Sequence, residues 1–329
     1  MRAVVMRTTG SPEVLELKQC SRPEPAGDEL LIRIKAAGVN PIDTKLRKRG
    51  LYFGNPPAIL GCDGAGVVER VGDRVNGFGV GDRVYYCFGG LGQSCGNYAE
   101  YAAVPSRYVA HMPNNLDFAH AAAAPLVLIT AWEALFDRAR MRAGQRVFIH
   151  AGAGGVGHVA IQLARIAGCS VATTVSDDTK AELVRHLGAD YIIRYREQDV
   201  TRALMEWTQG EGVDIALDTV GGAAFHALVP AVRIYGDLVT LLQVPADTDW
   251  KTLRLRNIRL SQELMLSPMV FDLDRAARHQ AQILKQCAQW FEQGQLSVHL
   301  ADILPLEHAS EAHRRIETGH MCGKLVLQP

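Results

Sequence analysis

Residues 145–157 read QRVFIHAGAGGVG: an apolar run, a glycine-dense turn, and then the start of a helical pattern. Residues 146–151 have the β-branched and aromatic content of a buried strand. Gly152, Gly154 and Gly157 follow in G-x-G-x-x-G spacing. The first glycine permits a tight turn, the second lets the backbone approach a pyrophosphate, and the third lets the helix pack on the strand. Gly155 and Val156 complete the turn, so that a phosphate meets free N–H groups at a helix N-terminus, favoured by the helix dipole. A bare glycine pattern is weak evidence. Here a strand precedes it and an apolar face follows (Val156, Val159, Ala160, Leu163, Ala164, Ala167), which predicts a dinucleotide site.

Composition narrows the remaining classes. A chain of 329 residues suits two domains. Its 35 basic and 35 acidic side chains cancel, leaving no basic field for nucleic acid or an anionic membrane surface. No apolar run has the length of a membrane span, and the opening MRAVVMRTTG is too short and polar for a secretory signal. Seven cysteines without paired spacing fit a reducing compartment. The expectation is a cytoplasmic protein with no nucleic-acid or membrane partner.

The texture changes along the chain. Short apolar alternations bounded by turn residues mark the first part, as in residues 29–36 (ELLIRIKA), 66–71 (GVVERV) and 82–86 (DRVYY). From about Pro125, apolar strands alternate with helical stretches: strands are expected at 170–175, 191–195, 213–220 and 236–242. Such alternation implies a parallel, doubly wound sheet. A helix over 272–293 leads to a final part that resembles the first in composition. The division read from this is 1–124 and 266–329 for one domain, with 125–265 inserted as the cofactor domain.

Several separated motifs carry a resemblance over essentially the whole chain. They are AAGVNPID (36–43), GCDGAGVV (61–68), GFGVGDRV (77–84), GNYAEY (96–101), LGAD (187–190), DTVGG (218–222) and GKLVL (323–327). Together with the glycine turn they resemble the medium-chain dehydrogenase/reductase superfamily, and within it the zinc-independent, zeta-crystallin-like quinone oxidoreductase branch. The resemblance implies an α/β fold: a Rossmann-type doubly wound parallel sheet inserted in a mostly β GroES-like catalytic domain.

Zinc-dependent members of that superfamily hold catalytic zinc with a thiolate, an imidazole and a third Cys or carboxylate, keeping one position open. Here Asn40 falls where the first cysteine would and Cys62 where the histidine would. Asn is a poor zinc ligand. Only Cys87 and Cys95 lie near the region where relatives carry four structural cysteines, and two thiolates cannot close a tetrahedral site. No zinc is expected. The chemistry left is hydride delivery to an acceptor that accommodates negative charge by delocalisation, a quinone or an α,β-unsaturated carbonyl. Catalysis is then chiefly positioning in a dry site.

By resemblance, Asn40 lies beside the nicotinamide ribose and the substrate carbonyl; an Asx turn ahead of Pro41 would use the same residue. Lys45 stands where relatives have a tyrosine, and it and Tyr52 are the other catalytic candidates. Thr130, in PLVLITAW, is a candidate for the nicotinamide end. At the adenosine end, Ser176, Lys180 and Tyr195 fit a 2′-phosphate site and favour NADPH. Asp177, able to bond a free ribose hydroxyl, keeps NADH as the alternative. Gly221 and Lys324 complete the cofactor set. His150 and His158 flank the turn and receive no role.

Residues 253–266 (LRLRNIRLSQELML) alternate apolar and basic residues at first, which predicts a strand near the sheet edge and a homodimer formed through it. The leading reading is an NADPH-dependent reductase of quinones or enones acting on a small-molecule acceptor. The alternatives are an enoyl-thioester reductase and an NADPH-binding protein with little turnover.

Overall fold

The computed structural model describes residues 1–92 and 96–329. Contacts divide the chain into unit 1, residues 1–126 and 266–329, and unit 2, residues 127–265.

Unit 1 begins with β1 (Arg2–Met6), β2 (Leu15–Gln19) and β3 (Glu29–Val39). Helix α1 (Pro41–Arg49) follows β3 after a single residue, Asn40. Then come β4 (Ala58–Ile59), β5 (Asp63–Val71), β6 (Arg83–Cys87), β7 (Tyr101–Pro105), β8 (Val109–His111) and α2 (Phe118–Ala123). Helix α3 (Pro125–Trp132) leads into unit 2.

Unit 2 alternates strand and helix: β9 (Arg146–Ile149), α4 (Gly157–Ile166), β10 (Ser170–Val175), α5 (Asp178–His186), β11 (Tyr191–Arg194), α6 (Val200–Trp207), β12 (Val213–Asp218), α7 (Ala223–Leu228), β13 (Val232–Thr240), α8 (Trp250–Leu255) and β14 (Arg259–Gln262). All neighbouring strands are parallel, in the order β11-β10-β9-β12-β13-β14. That is the doubly wound order, in which ligands bind beyond the carboxyl ends of the strands where the winding reverses. The inner strands β9, β10 and β12 are buried along most of their length, as parallel strands covered by helices on both faces must be. Phe148, Ile193, Leu204, Phe225 and Leu238 form part of one core cluster.

One expectation is corrected here. Residues 253–255 are not strand: they end α8, and only Arg259–Gln262 pairs in the sheet. Asp249 N-caps this helix by accepting from the Thr252 N–H at 2.9 Å. A satisfied cap and the burial of Leu253 outweigh a four-residue alternation. Strand β14 is the terminal strand of the sheet.

Unit 1 resumes with α9 (Ser267–Val270), α10 (Asp274–Glu292), β15 (Leu300–Pro305), α11 (Ala309–Thr318) and β16 (Lys324–Gln328). Helix α10 buries Ala277, Ile283, Leu284, Cys287 and Phe291, one stripe at helical spacing. The returning chain adds to the first sheet, whose order is β15-β16-β3-β5-β6-β8, with β7 also on β3. Strand β16 lies antiparallel to β3, with Leu325 opposite Val39. This pairing brings Lys324 to the end of β3. Among the described residues, no helix is long and apolar enough to cross a membrane.

Candidate functional site

In unit 2, the end of β9 makes the sharp turn. Ala151 takes φ 50°, a left-handed value, and its N–H donates to Thr174 Oγ1 at 2.9 Å. A Cβ on Gly152 would collide with the Thr173 side chain, and one on Gly157 with the Ala151 carbonyl. Both glycines are therefore required by internal packing. A Cβ on Gly154 would stand 3.1 Å from the Ala151 oxygen and meet nothing closer. That is a tight contact, but far looser than those at Gly152 and Gly157, so packing constrains Gly154 least of the three. The His158 N–H donates to the Gly154 carbonyl at 3.1 Å, and the positive end of the α4 dipole beside the turn suits a pyrophosphate. His158 is buried with Nδ1 3.0 Å from the Gly154 oxygen.

The neighbouring strand end is fastened to this turn. Asp218 accepts from the N–H groups of Val220 at 3.0 Å and Gly221 at 2.9 Å, and from the Thr240 hydroxyl at 2.8 Å. His150 Nδ1 lies 3.3 Å from the same carboxylate. Burial raises the Asp218 carboxyl, but the hydrogen bonds from His150, Gly221, Val220 and Thr240 outweigh it and hold it below its ordinary value. Gly221 has φ +76°, which the bend requires.

Farther along, Lys180 Nζ donates to Ser176 Oγ at 2.9 Å, and Ser176 Oγ donates to Asp177 Oδ2 at 2.7 Å. Asp177 also N-caps α5, accepting from the Lys180 N–H at 3.0 Å. That backbone bond first, and Ser176 second, hold its carboxyl low. Ser176, Asp177 and Lys180 are thus one cluster at the end of β10. Tyr195, just past β11, is half exposed, with the Arg196 guanidinium 6.0 Å from its ring centroid. Thr130 is buried in α3.

In unit 1, Asn40 occupies the N-cap of α1, where Pro41 begins the helix. Its N–H donates to Asp43 Oδ2 at 2.8 Å, and its side-chain Nδ2 donates to Asp63 Oδ2 at 2.9 Å. Lys324 Nζ donates to Asn40 Oδ1 and, at 3.2 Å, to the Val39 carbonyl. The same ammonium lies 3.6 Å from Asp63 Oδ2. Asp63 Oδ1 accepts from the Leu126 N–H at 2.8 Å. Asn40 and Asp63 are 0% exposed and Lys324 is 4% exposed. Gly38, opposite Asp63 across β3 and β5, lacks the Cβ that would collide with Asp63 and the Ala122 carbonyl.

A second layer continues from Asp43. Its Oδ2 accepts from Tyr98 Oη at 3.0 Å, and His313 Nε2 lies 3.2 Å from that hydroxyl. Burial pushes the Asp43 carboxyl up to about 7, against the hydrogen bonds from Asn40 and Tyr98. Burial, with Arg47 nearby, pushes His313 down to about 3. Arg47, wholly buried in α1, donates to the Gly10 carbonyl at 2.6 Å and pairs with Glu317 of α11. Burial pushes the Cys62 thiol well above its ordinary value, and the charges of Asp43 and Asp63 add to this.

The structure brings together Asn40 and Lys324, two residues read from separate motifs. It places Lys45 and Tyr52 apart from them, exposed on α1 and on the loop after it. Cys87 is buried in β6, and Cys95 lies outside the described residues. Sequence reasoning had not assigned roles to Asp63, Tyr98, Arg47 or His313. Asp63 and Tyr98 lie inside the quoted motifs GCDGAGVV and GNYAEY; nothing local marks Arg47 or His313.

A β-rich unit joined in one chain to a doubly wound dinucleotide-type unit is the make-up of a dehydrogenase/reductase. Residues 26–114 match the alcohol dehydrogenase GroES-like domain and residues 187–327 the zinc-binding dehydrogenase family. A quinone oxidoreductase of Pseudomonas aeruginosa is 32% identical over 321 residues, covering 97% of this chain and 97% of that protein. A solved alcohol dehydrogenase superfamily protein from Novosphingobium aromaticivorans superposes with TM-score 0.93 at 33% identity, covering 100% of this chain and 99% of the other. The Escherichia coli quinone oxidoreductase, solved in complex with NADPH, gives 0.88 at 26% identity with 100% of both chains covered. The chain belongs to the medium-chain dehydrogenase/reductase superfamily, in its zeta-crystallin-like quinone oxidoreductase branch, and is an oxidoreductase.

Proposed function

We propose that the protein uses NADPH to reduce quinones or α,β-unsaturated carbonyls and does so without zinc. The observation that carries the cofactor reading is the Ser176–Asp177–Lys180 cluster. Asp177 is spent on capping α5 and on the Ser176 hydroxyl, while the Lys180 ammonium stands against that hydroxyl. A hydroxyl and an ammonium side by side suit a 2′-phosphate; a ribose 2′-hydroxyl would have to compete for the cap. The NADPH complex of the E. coli relative supports the same cofactor.

Bound NADPH supplies a hydride. The chain holds its pyrophosphate with the 152–157 turn and the start of α4, and its adenosine phosphate with Ser176, Lys180 and Tyr195. Zinc does not fit the donor set of unit 1. Both ends of the Asn40 amide are engaged, the Cys62 thiol is held protonated by burial, and an ammonium already lies against Asp63. Without a Lewis acid, acceptors that delocalise negative charge are the ones reduced. Lys45 and Tyr52, exposed on and after α1, are kept as the candidate side chains of that segment for contact with the acceptor.

The test is oxidation of NADPH and of NADH with chelator present, against para- and ortho-quinones, an enal, an enone, an enoyl thioester and a saturated aldehyde. Turnover of quinones or enones with NADPH preferred supports the reading. NADH preference overturns the cofactor assignment, and thioester preference moves the protein to enoyl reduction. NADPH binding without turnover leaves a binding protein. Lys180→Ala should weaken NADPH about tenfold or more and leave NADH unchanged, the size expected for a hydrogen bond to a charged group.

We also infer a homodimer through β14. It is the terminal strand, and Ile234, Tyr235, Trp250 and Leu255 are exposed in the same unit. Sedimentation velocity checks this; a monomer at working concentration removes it.

A further inference from the structure

We propose that the Lys324 ammonium is a resident cation that takes a metal's place in unit 1, tying β3, β5 and β16 together and excluding zinc by its charge. The inference rests on the zinc-free reading above and deepens it. The three segments concerned are remote in sequence, and each ends at the ammonium. Val39 and Asn40 offer it a carbonyl and an amide oxygen, Asp63 a carboxylate, and Lys324 arrives on β16 beside them. One positive charge, held by oxygen atoms from separate elements, is the arrangement a bound cation would have. Here the cation is covalently part of the chain.

The Asn40 amide shows that the arrangement is specific. Its oxygen accepts from the Lys324 ammonium and its nitrogen donates to the Asp63 carboxylate. Turning the amide over would set NH₂ against NH₃⁺ and oxygen against carboxylate, so the ammonium admits one orientation only. The positions where zinc relatives place a cysteine and a histidine are Asn40 and Cys62, and the ammonium contacts the first of these directly. Restoring a thiolate at position 40 would therefore not suffice for metal binding while Lys324 remains. A divalent cation beside a buried ammonium is strongly repelled at low dielectric.

The experiment uses the full chain with cobalt(II) as a spectroscopic substitute for zinc, since cobalt–thiolate absorption reports ligation by cysteine. Wild type, Asn40→Cys, Asn40→Cys/Lys324→Arg and Asn40→Cys/Lys324→Ala are titrated. The expected result is no thiolate band in the first three and about one cobalt per chain with a thiolate band in the last. A thiolate band in Asn40→Cys with Lys324 in place overturns the inference, because ligand identity alone would then exclude metal. No uptake by Asn40→Cys/Lys324→Ala overturns it as well. Stoichiometric zinc on the wild type overturns the underlying zinc-free reading and the inference with it, whereas a thiolate band that first appears in Asn40→Cys overturns the inference alone, so the two failures are distinct. A second readout needs no metal. Lys324→Met should lower the melting temperature, and Lys324→Met/Asp63→Asn should recover most of the loss. A double variant that melts no higher than Lys324→Met denies the ion pair.

Discussion

The glycine turn of unit 2 and the Asn40 network of unit 1 both lie where a strand gives way to a helix, yet they are made of different material. Between β9 and α4 the work is done by missing side chains. Gly152 and Gly157 let the backbone close on itself, and Gly154 leaves room for an outside group. Between β3 and α1 it is done by buried polar and charged side chains, Asn40, Asp63 and Lys324, that bond to one another. An open backbone cradle binds something that comes and goes. A closed polar network holds the chain itself in place, at the cost of removing charges from water.

The comparison can be broken from either side. The largest effect is expected from Asp63→Ala, which leaves the Lys324 ammonium buried without its carboxylate. Loss of one partner of a buried pair costs about 3–5 kcal/mol, and denaturant unfolding should show it. A loss below about 1 kcal/mol, the size of an exposed pair, would mean the network is not closed.

The next effect separates the glycines. Gly152→Val overpacks the turn against Thr173 and should lose about 1–3 kcal/mol of stability together with cofactor binding. Gly154→Ala, whose added methyl meets only the Ala151 oxygen at 3.1 Å, should lose less stability than Gly152→Val while binding NADPH more weakly. Melting curves and fluorescence titration with NADPH decide this. Equal stability losses in both variants would show that Gly154 is a packing residue too.

The effect expected to be smallest at neutral pH is one that acid brings out. His313 is held down to about 3 in the folded chain, against an ordinary value of 6.5. Between those values the unfolded chain binds the extra proton, so stability rises with pH across the window. The contribution is complete above about 6.5 and is lost progressively as pH falls toward 3. His313→Gln should flatten that part of the stability–pH curve by up to one proton's slope and leave the neutral-pH region nearly unchanged. An unaltered acid limb would show that His313 is not kept neutral by burial.

How much of this was legible depends on distance along the chain. The glycine turn lies within thirteen residues of sequence, and its spacing states its own geometry. The strands of unit 2 were legible for the same reason, to within a few residues at their ends. Residues 253–255 misled because alternation over four positions is a weaker signal than the cap at Asp249 and the buried Leu253. Lys324 was placed in the cofactor set by its GKLVL motif, but its ammonium is engaged with Asn40, 284 positions away. No local pattern encodes that contact. It exists because β16 returns antiparallel to β3.

The sequence by itself determined that the chain carries a doubly wound dinucleotide unit inserted in a β-rich one, since hydrophobic period and glycine spacing are local properties. It determined too that position 40 holds an asparagine, a poor zinc ligand, where zinc-dependent relatives have a cysteine. Only the tertiary structure decided which side chains Asn40 faces, that Asp177 is committed to its helix cap, and that the Lys324 ammonium lies against Asn40 and Asp63. Burial and partnership arise when remote segments pair, and a charge's meaning is set by what surrounds it.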